Sequence, residues 1–190
     1  EVVDKSKFEG AVRKTFIKTN SVGKILRINL PYSRHQYKKI KIKLEIDCIP
    51  PEGSKFETHY LYFPITVPIT TQALPSGFAG KIHALLCRDY TKGRDWYDFI
   101  WYISKNIKVN FELLKNALFQ QGPWKGEKIM LTKEWLKDVF AQKIDSIKWK
   151  EAADDVSRFL PLEEQSSLSK WEKNLFLYQL EKVKFVDVEN

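Results

Sequence analysis

The hydrophobic period changes once along the chain, and that change restricts the fold to a sheet followed by helices. Residues 40–47 (IKIKLEID) alternate strictly, so Ile40, Ile42, Leu44 and Ile46 share one face of a strand and Lys41, Lys43, Glu45 and Asp47 the other. Residues 24–30 alternate more loosely, and Pro50, Pro51 and Gly53 end the strand. Residues 60–69 (YLYFPITVPI) form a Pro-punctuated extended stretch suited to a sheet edge or a crossover. From Gly77 onward apolar residues recur at helical spacing: Phe78, Ile82, Leu85, Leu86 and Tyr90 make one stripe, closed by Lys92 and Gly93. A second helix starts at Arg94 and Asp95 and carries Trp96, Phe99, Ile100 and Ile103. Further helices start at Asn110, at Thr132 and near Ile147, and a last one covers 166–183 with Leu168, Trp171, Leu175 and Tyr178 inward. Thr132 reads as an N-cap, with Leu131 and Leu136 as a hydrophobic staple. The expectation is an α+β chain, with a β-rich lobe over 1–75, a helical lobe over 76–190 and no internal repeat.

With 190 residues, 43% of them hydrophobic, the chain can bury a core, which excludes disordered, collagenous and mucin-like classes. No apolar run reaches the roughly 18 residues that span a bilayer, so no membrane partner and a soluble chain are expected. Cys48 and Cys87 stand apart without a C-x-x-C pair or clustered His, which argues against a disulfide framework or structural zinc and for a cytoplasmic setting. The chain opens at Glu1 without Met or signal peptide, and a missing N-terminal part is expected. Net charge is +8, and residues 1–55 carry thirteen Lys/Arg against six Asp/Glu. Such a basic segment either attracts phosphates or is simply a solvated face.

Two groups of residues could carry chemistry. Lys81 and Arg88 lie nearly two helical turns apart, project from one side opposite the apolar stripe, and suit a polyphosphate. Asp95 and Asp98 adjoin on the next helix; alternatively, Asp95 is a cap and Arg94 pairs with Asp98 at i,i+4. Glu45 and Asp47, on one strand face, could present oxygens to Mg²⁺ or orient an attacking hydroxyl, or form a surface charge ladder with Lys41 and Lys43. His35, His59 and His83 are dispersed, no Ser or Cys sits in a nucleophile elbow, and there is no Gly-rich phosphate loop. Trp124, Trp135, Trp149 and Trp171 lie at spacings of core or groove anchors, with core the favoured reading.

Residues 77–88 (GFAGKIHALLCR), continued by 92–99 (KGRDWYDF), resemble the AbiEii/AbiGii toxin family of nucleotidyltransferases, the toxins of type IV, abortive-infection toxin–antitoxin systems in bacteria. A looser likeness covers the strand ending at Asp47. The resemblance implies a partial DNA-polymerase-β-like nucleotidyltransferase sheet followed by a helical bundle lobe. It places Lys81 in the active site, sets Arg88 and Arg94 beside it as phosphate-binding residues, and makes Asp95, or secondarily Asp98, the carboxylate that matters. Asp47 would be a third carboxylate, acting on the attacking hydroxyl or on a metal, with Glu45 as its neighbour. Mg²⁺ and a nucleoside triphosphate, GTP or another, are the implied cofactors. The implied acceptor is tRNA, another RNA or a protein side chain, and the implied partner a cognate antitoxin. The family's first motif, Gly-Ser followed about ten residues later by Asp-x-Asp, is not found: at that distance from Gly53 and Ser54 stand Ile65, Thr66 and Val67, and Asp187 and Glu189 lie at the wrong end. The expectation is therefore a fragment, inactive alone, of a nucleotidyltransferase; the alternative is a non-catalytic nucleic-acid or antitoxin-binding module.

Overall fold

The computed structural model describes residues 2–4, 12–18, 41–47, 49–127, 130 and 132–186, with only the backbone described for 2–4, 12–18 and 41–46. It divides into two compact units, Glu1–Pro50 and Pro51–Asn190. The class is α+β, as expected.

In the first unit β1 (Val2–Asp4), β2 (Val12–Lys18) and β3 (Lys41–Asp47) form an antiparallel sheet in that order. Val2 lies opposite Ile17, Thr15 opposite Leu44 and Val12 opposite Asp47. The strictly alternating segment is thus β3, as its period of two requires. The looser alternation at 24–30 and Cys48 lie outside the described residues.

The second unit opens with a hairpin, β4 (Phe56–Leu61) against β5 (Val67–Gln72), with Tyr60 opposite Pro68. The Pro-punctuated stretch is therefore not one strand: it holds the end of β4, a turn with a cis Phe63–Pro64 peptide, and the start of β5. Helix α1 (Leu74–Cys87) begins before Gly77, because Pro75 sits in its first turn, where a missing N–H has no partner to lose. Phe78, Ile82, Leu85 and Leu86 are buried as expected, but the helix stops at Cys87 and Tyr90 is exposed beyond it. Gly93 does not end α1. It is the first residue of α2 (Gly93–Ser104), its φ is not left-handed, and a Cβ there would lie 1.9 Å from the Ala152 carbonyl oxygen. Glycine stands at this position because two helices approach closely, not because a C-cap needs it.

Asn110 caps α3 (Phe111–Gln120), its Oδ1 accepting from Leu113 N–H at 3.1 Å. Thr132 caps α4 (Lys133–Asp145) as expected, with Oγ1 accepting from Trp135 N–H at 3.0 Å; Leu131, its proposed staple, is outside the described residues. The helix expected near Ile147 is α5 (Trp149–Ser157). The single last helix expected over 166–183 is instead a short α6 (Leu162–Gln165), a 3-10 turn (Ser166–Lys170) and α7 (Lys173–Glu181). The extended Glu172 breaks the phase, so Phe176 and Leu180 turn inward and Tyr178 is exposed, against the expectation.

The core sits among these helices. Trp96 stacks on Phe140 and meets Trp149 and Phe176 edge-on, with ring centroids 5.7, 5.0 and 5.4 Å apart. Each such pair adds about 0.5–1.5 kcal/mol to the gain from burying its area. Trp149 and Trp171 belong to this core, whereas Trp124 and Trp135 are half-buried and pack on each other at its rim. Among the described residues, no helix is long and apolar enough to cross a membrane.

Candidate functional site

Helices α1 and α2 meet at an ionic cluster. Asp95, in the first turn of α2, is 3% exposed. Its Oδ1 lies 2.9 Å from Lys81 Nζ, and its Oδ2 faces Arg88 Nη1. Lys81 also reaches Asp98 Oδ2 at 2.7 Å. Burying a carboxylate requires compensating charge, and here both Asp95 oxygens are engaged by cations that remain partly open to solvent. The Lys81 and Arg88 side chains are 25% and 33% exposed.

The spacing explains the meeting. Lys81 and Arg88 project from one side of α1, and Asp95 and Asp98, three apart, project from one side of α2. The simpler alternative is not formed: Asp95 does not cap α2, whose first N–H, that of Gly93, donates to Asp155 Oδ2, and Asp98 pairs with Lys81. Arg94 instead places its guanidinium 5.4 Å from the Phe159 ring centroid, a cation–π contact. The Arg88 carbonyl at the end of α1 accepts from Lys143 Nζ at 2.8 Å.

Two further residues belong to this site and were not singled out in the sequence. Lys92, the N-cap residue of α2, has its pKa lowered, first by burial and then by repulsion from Arg88, Arg94 and Lys81, with Asp155 opposing. Tyr102 has its phenol pushed up by burial, with Lys81 opposing and Asp98 adding. Its ring stacks on Phe78 at 4.7 Å, and Gly77 leaves room for it, since a Cβ there would lie 2.8 Å from the hydroxyl. Helical spacing carried the signal for Tyr102, four residues beyond Asp98. For Lys92 it was adjacency to the Arg94–Asp95 pair.

Asp47 ends β3 in the first unit, exposed, with Oδ1 accepting from Ile49 N–H at 3.1 Å. Glu45 pairs through its backbone with Lys14, and its side chain is outside the described residues, as is His35. His59 is exposed beside Glu57, and His83 Nε2 lies 3.0 Å from the Gln121 carbonyl oxygen. Burial pushes the Cys87 thiol up to about 11, which leaves it protonated and unreactive near neutral pH.

The cluster does not fit a Mg²⁺ ion. Both Asp95 oxygens already face cations, and the described residues contain no group of three or more metal-ligating side chains. It does fit an oxyanion: Lys and Arg, held in place by a shared buried carboxylate, can each donate charge-assisted hydrogen bonds to phosphate oxygens.

The family model described as "Nucleotidyl transferase AbiEii toxin, Type IV TA system" matches residues 2–174. No curated protein and no solved structure matches the chain.

Proposed function

The chain belongs to the AbiEii nucleotidyl transferase toxin family, and from that premise we propose that its α1–α2 cluster binds the triphosphate of a nucleoside triphosphate, GTP or another, accompanied by Mg²⁺. The observation that supports this reading most is the Lys81–Asp95–Arg88 arrangement: two cations orientated by one buried carboxylate, with their outer surfaces open. Lys81 and Arg88 contact phosphate oxygens, Arg94 flanks them, and Asp95 acts as the positioning residue. Asp98 competes for Lys81 until the substrate arrives. In the transfer, an acceptor hydroxyl oxygen attacks the α-phosphorus. A new P–O bond forms, the bond to pyrophosphate breaks, and pyrophosphate leaves with the electron pair. The acceptor is tRNA, another RNA or a protein side chain. The resemblance assigns the hydroxyl's proton to Asp47 and keeps Glu45 as a further candidate.

A second reading, a non-catalytic module that binds RNA or the antitoxin, is favoured by the hairpin turn, where Tyr62 and Phe63 are 75% and 83% exposed. Titration of the chain with each of the common nucleoside triphosphates separates the two readings. Binding that Lys81→Ala weakens by about tenfold or more, with the helical circular dichroism unchanged, is expected for the first. Absence of nucleotide binding by the unsubstituted chain, with retention of RNA or antitoxin, would establish the second.

A further inference from the structure

Resting on the nucleotide-binding reading, we infer that Phe159, flanked by Arg94 and Arg158, is a stacking platform for the base of the nucleoside triphosphate.

The ring stands open on a turn that other groups hold in place. Phe159 is 53% exposed, while the next residue, Leu160, packs against the core and anchors the turn. Phe159 N–H donates to the Val156 carbonyl at 2.9 Å and Leu160 N–H to the Ser157 carbonyl at 3.1 Å. Gln165 Nε2 donates to the Ser157 and Leu160 carbonyls, on either side of Phe159 in the chain, at 3.1 and 3.0 Å. A ring presented on a fixed backbone loses little freedom when a flat partner covers it.

Two guanidiniums border that ring. Arg94 Cζ lies 5.4 Å and Arg158 Cζ 4.9 Å from its centroid. Arg94 immediately precedes Asp95 in the first turn of α2, so the ring stands one arginine side chain from the turn that holds Lys81 and Arg88. Asp155 ties the two together: its Oδ2 accepts from Gly93 N–H at 2.9 Å and its Oδ1 from Arg158 Nη2 at 2.7 Å. An exposed aromatic face bordered by guanidinium planes is the chemistry that stacks on nucleobases.

The charge balance favours the base of a nucleotide over an RNA strand. Asp155 neutralises Arg158, and Tyr97, three residues beyond Arg94, brings in the Glu164 carboxylate by donating to its Oε2 at 3.1 Å. Arg94 is therefore the cation left without a carboxylate partner here among the described residues. A strand needs several phosphates neutralised, whereas a base carries no charge and needs a flat apolar face.

The test is calorimetric titration of the chain with GTP, ATP, inorganic tripolyphosphate and a single-stranded oligoadenylate. The variants are Phe159→Ala, Phe159→Leu, Phe159→Trp and a control, Tyr178→Ala, which removes an exposed ring on α7. Phe159→Ala and Phe159→Leu are expected to weaken GTP and ATP by about tenfold and tripolyphosphate by less than about twofold, with the helical circular dichroism unchanged. Phe159→Trp should retain binding, and Tyr178→Ala should leave it unaltered. Parent-like GTP and ATP affinity in Phe159→Leu would show that the ring only packs, and would overturn the inference while the nucleotide reading stands. So would an equal loss of tripolyphosphate, which would mean that Phe159 merely holds Arg94. Loss of the oligoadenylate with GTP and ATP unchanged would give the ring to RNA and overturn the inference as well. Binding of tripolyphosphate but of neither nucleotide by the parent chain, or of none of the three, would overturn both readings.

Discussion

The helices and the β4–β5 hairpin of the second unit are both rich in aromatic and aliphatic side chains, yet only the helices bury them. Phe78, Phe99 and Phe176 are fully enclosed, while Phe56, Tyr60, Tyr62, Phe63 and Ile65 are all exposed. Each helix puts its apolar residues on one stripe, and neighbouring helices cover it. The hairpin has two strands and is tied to the helices near its base, through Ala73 N–H to the Lys55 carbonyl and Lys55 N–H to Ser76 Oγ, both at 2.9 Å. An isolated two-stranded hairpin is marginal in water. The apolar residues of α1 and α2 therefore hold the ionic cluster in place, while those of the hairpin are available for contacts outside the fold.

The largest effect expected from this difference is at the contact of α2 with α5. In Gly93→Ala the new Cβ would lie 1.9 Å from the Ala152 carbonyl oxygen and close to Val156 N, all backbone atoms that cannot rotate away. The helices must separate, which strains the Gly93 N–H to Asp155 bond and shifts Asp95, two residues on. A loss of about 3 kcal/mol or more is expected in urea unfolding, together with weaker nucleotide binding. A loss under about 1 kcal/mol would show that this contact is looser than the cluster requires.

The sequence made legible whatever depends on local periodicity. Strand β3, the apolar stripe of α1, the Thr132 cap, and the placing of Lys81 with Arg88 on one side of α1 and of Asp95 with Asp98 on one side of α2 all follow from spacing. Three features depend on what arrives from elsewhere in the chain. Gly93 has the composition of a helix stop, and only the Ala152 carbonyl explains why it must lack a side chain. The break at Glu172 changes which residues of α7 face inward, and a single continuous period over 166–183 hides it. The lowered proton affinity of Lys92 comes from burial and then from Arg88, Arg94 and Lys81, which spacing within one helix does not display. Asp95 was recognisable as a candidate, but its burial between two cations was not.

An intermediate effect is expected at Asn110, which joins the two regions. It is buried, its Oδ1 caps α3, and its Nδ2 donates to the Gly53 carbonyl at 2.8 Å and to Ser76 Oγ at 3.1 Å. Asn110→Ala removes the cap and leaves the Leu113 N–H unsatisfied, at a cost of about 2 kcal/mol in thermal or urea unfolding. Because Gly53 lies just before β4, hydrogen exchange should quicken in the hairpin more than in α2. Equal acceleration in both would mean that the hairpin is held by more than its base.

The smallest effect is expected in the hairpin itself. Phe63 is 83% exposed, and the described fold gives its ring no enclosing partners. In Phe63→Ser the lost apolar area was already in water, so stability should change by no more than about 0.5 kcal/mol. Nucleotide affinity should not change, since none of the residues that hold Lys81 and Arg88 comes from the hairpin. A loss near 2 kcal/mol, the scale of burying a Phe, would mean that this ring is covered in solution and would remove the contrast between the two regions. An unchanged stability with weakened RNA or antitoxin binding would sharpen it, because the hairpin's apolar side chains would then act on a partner and those of the helices on the fold.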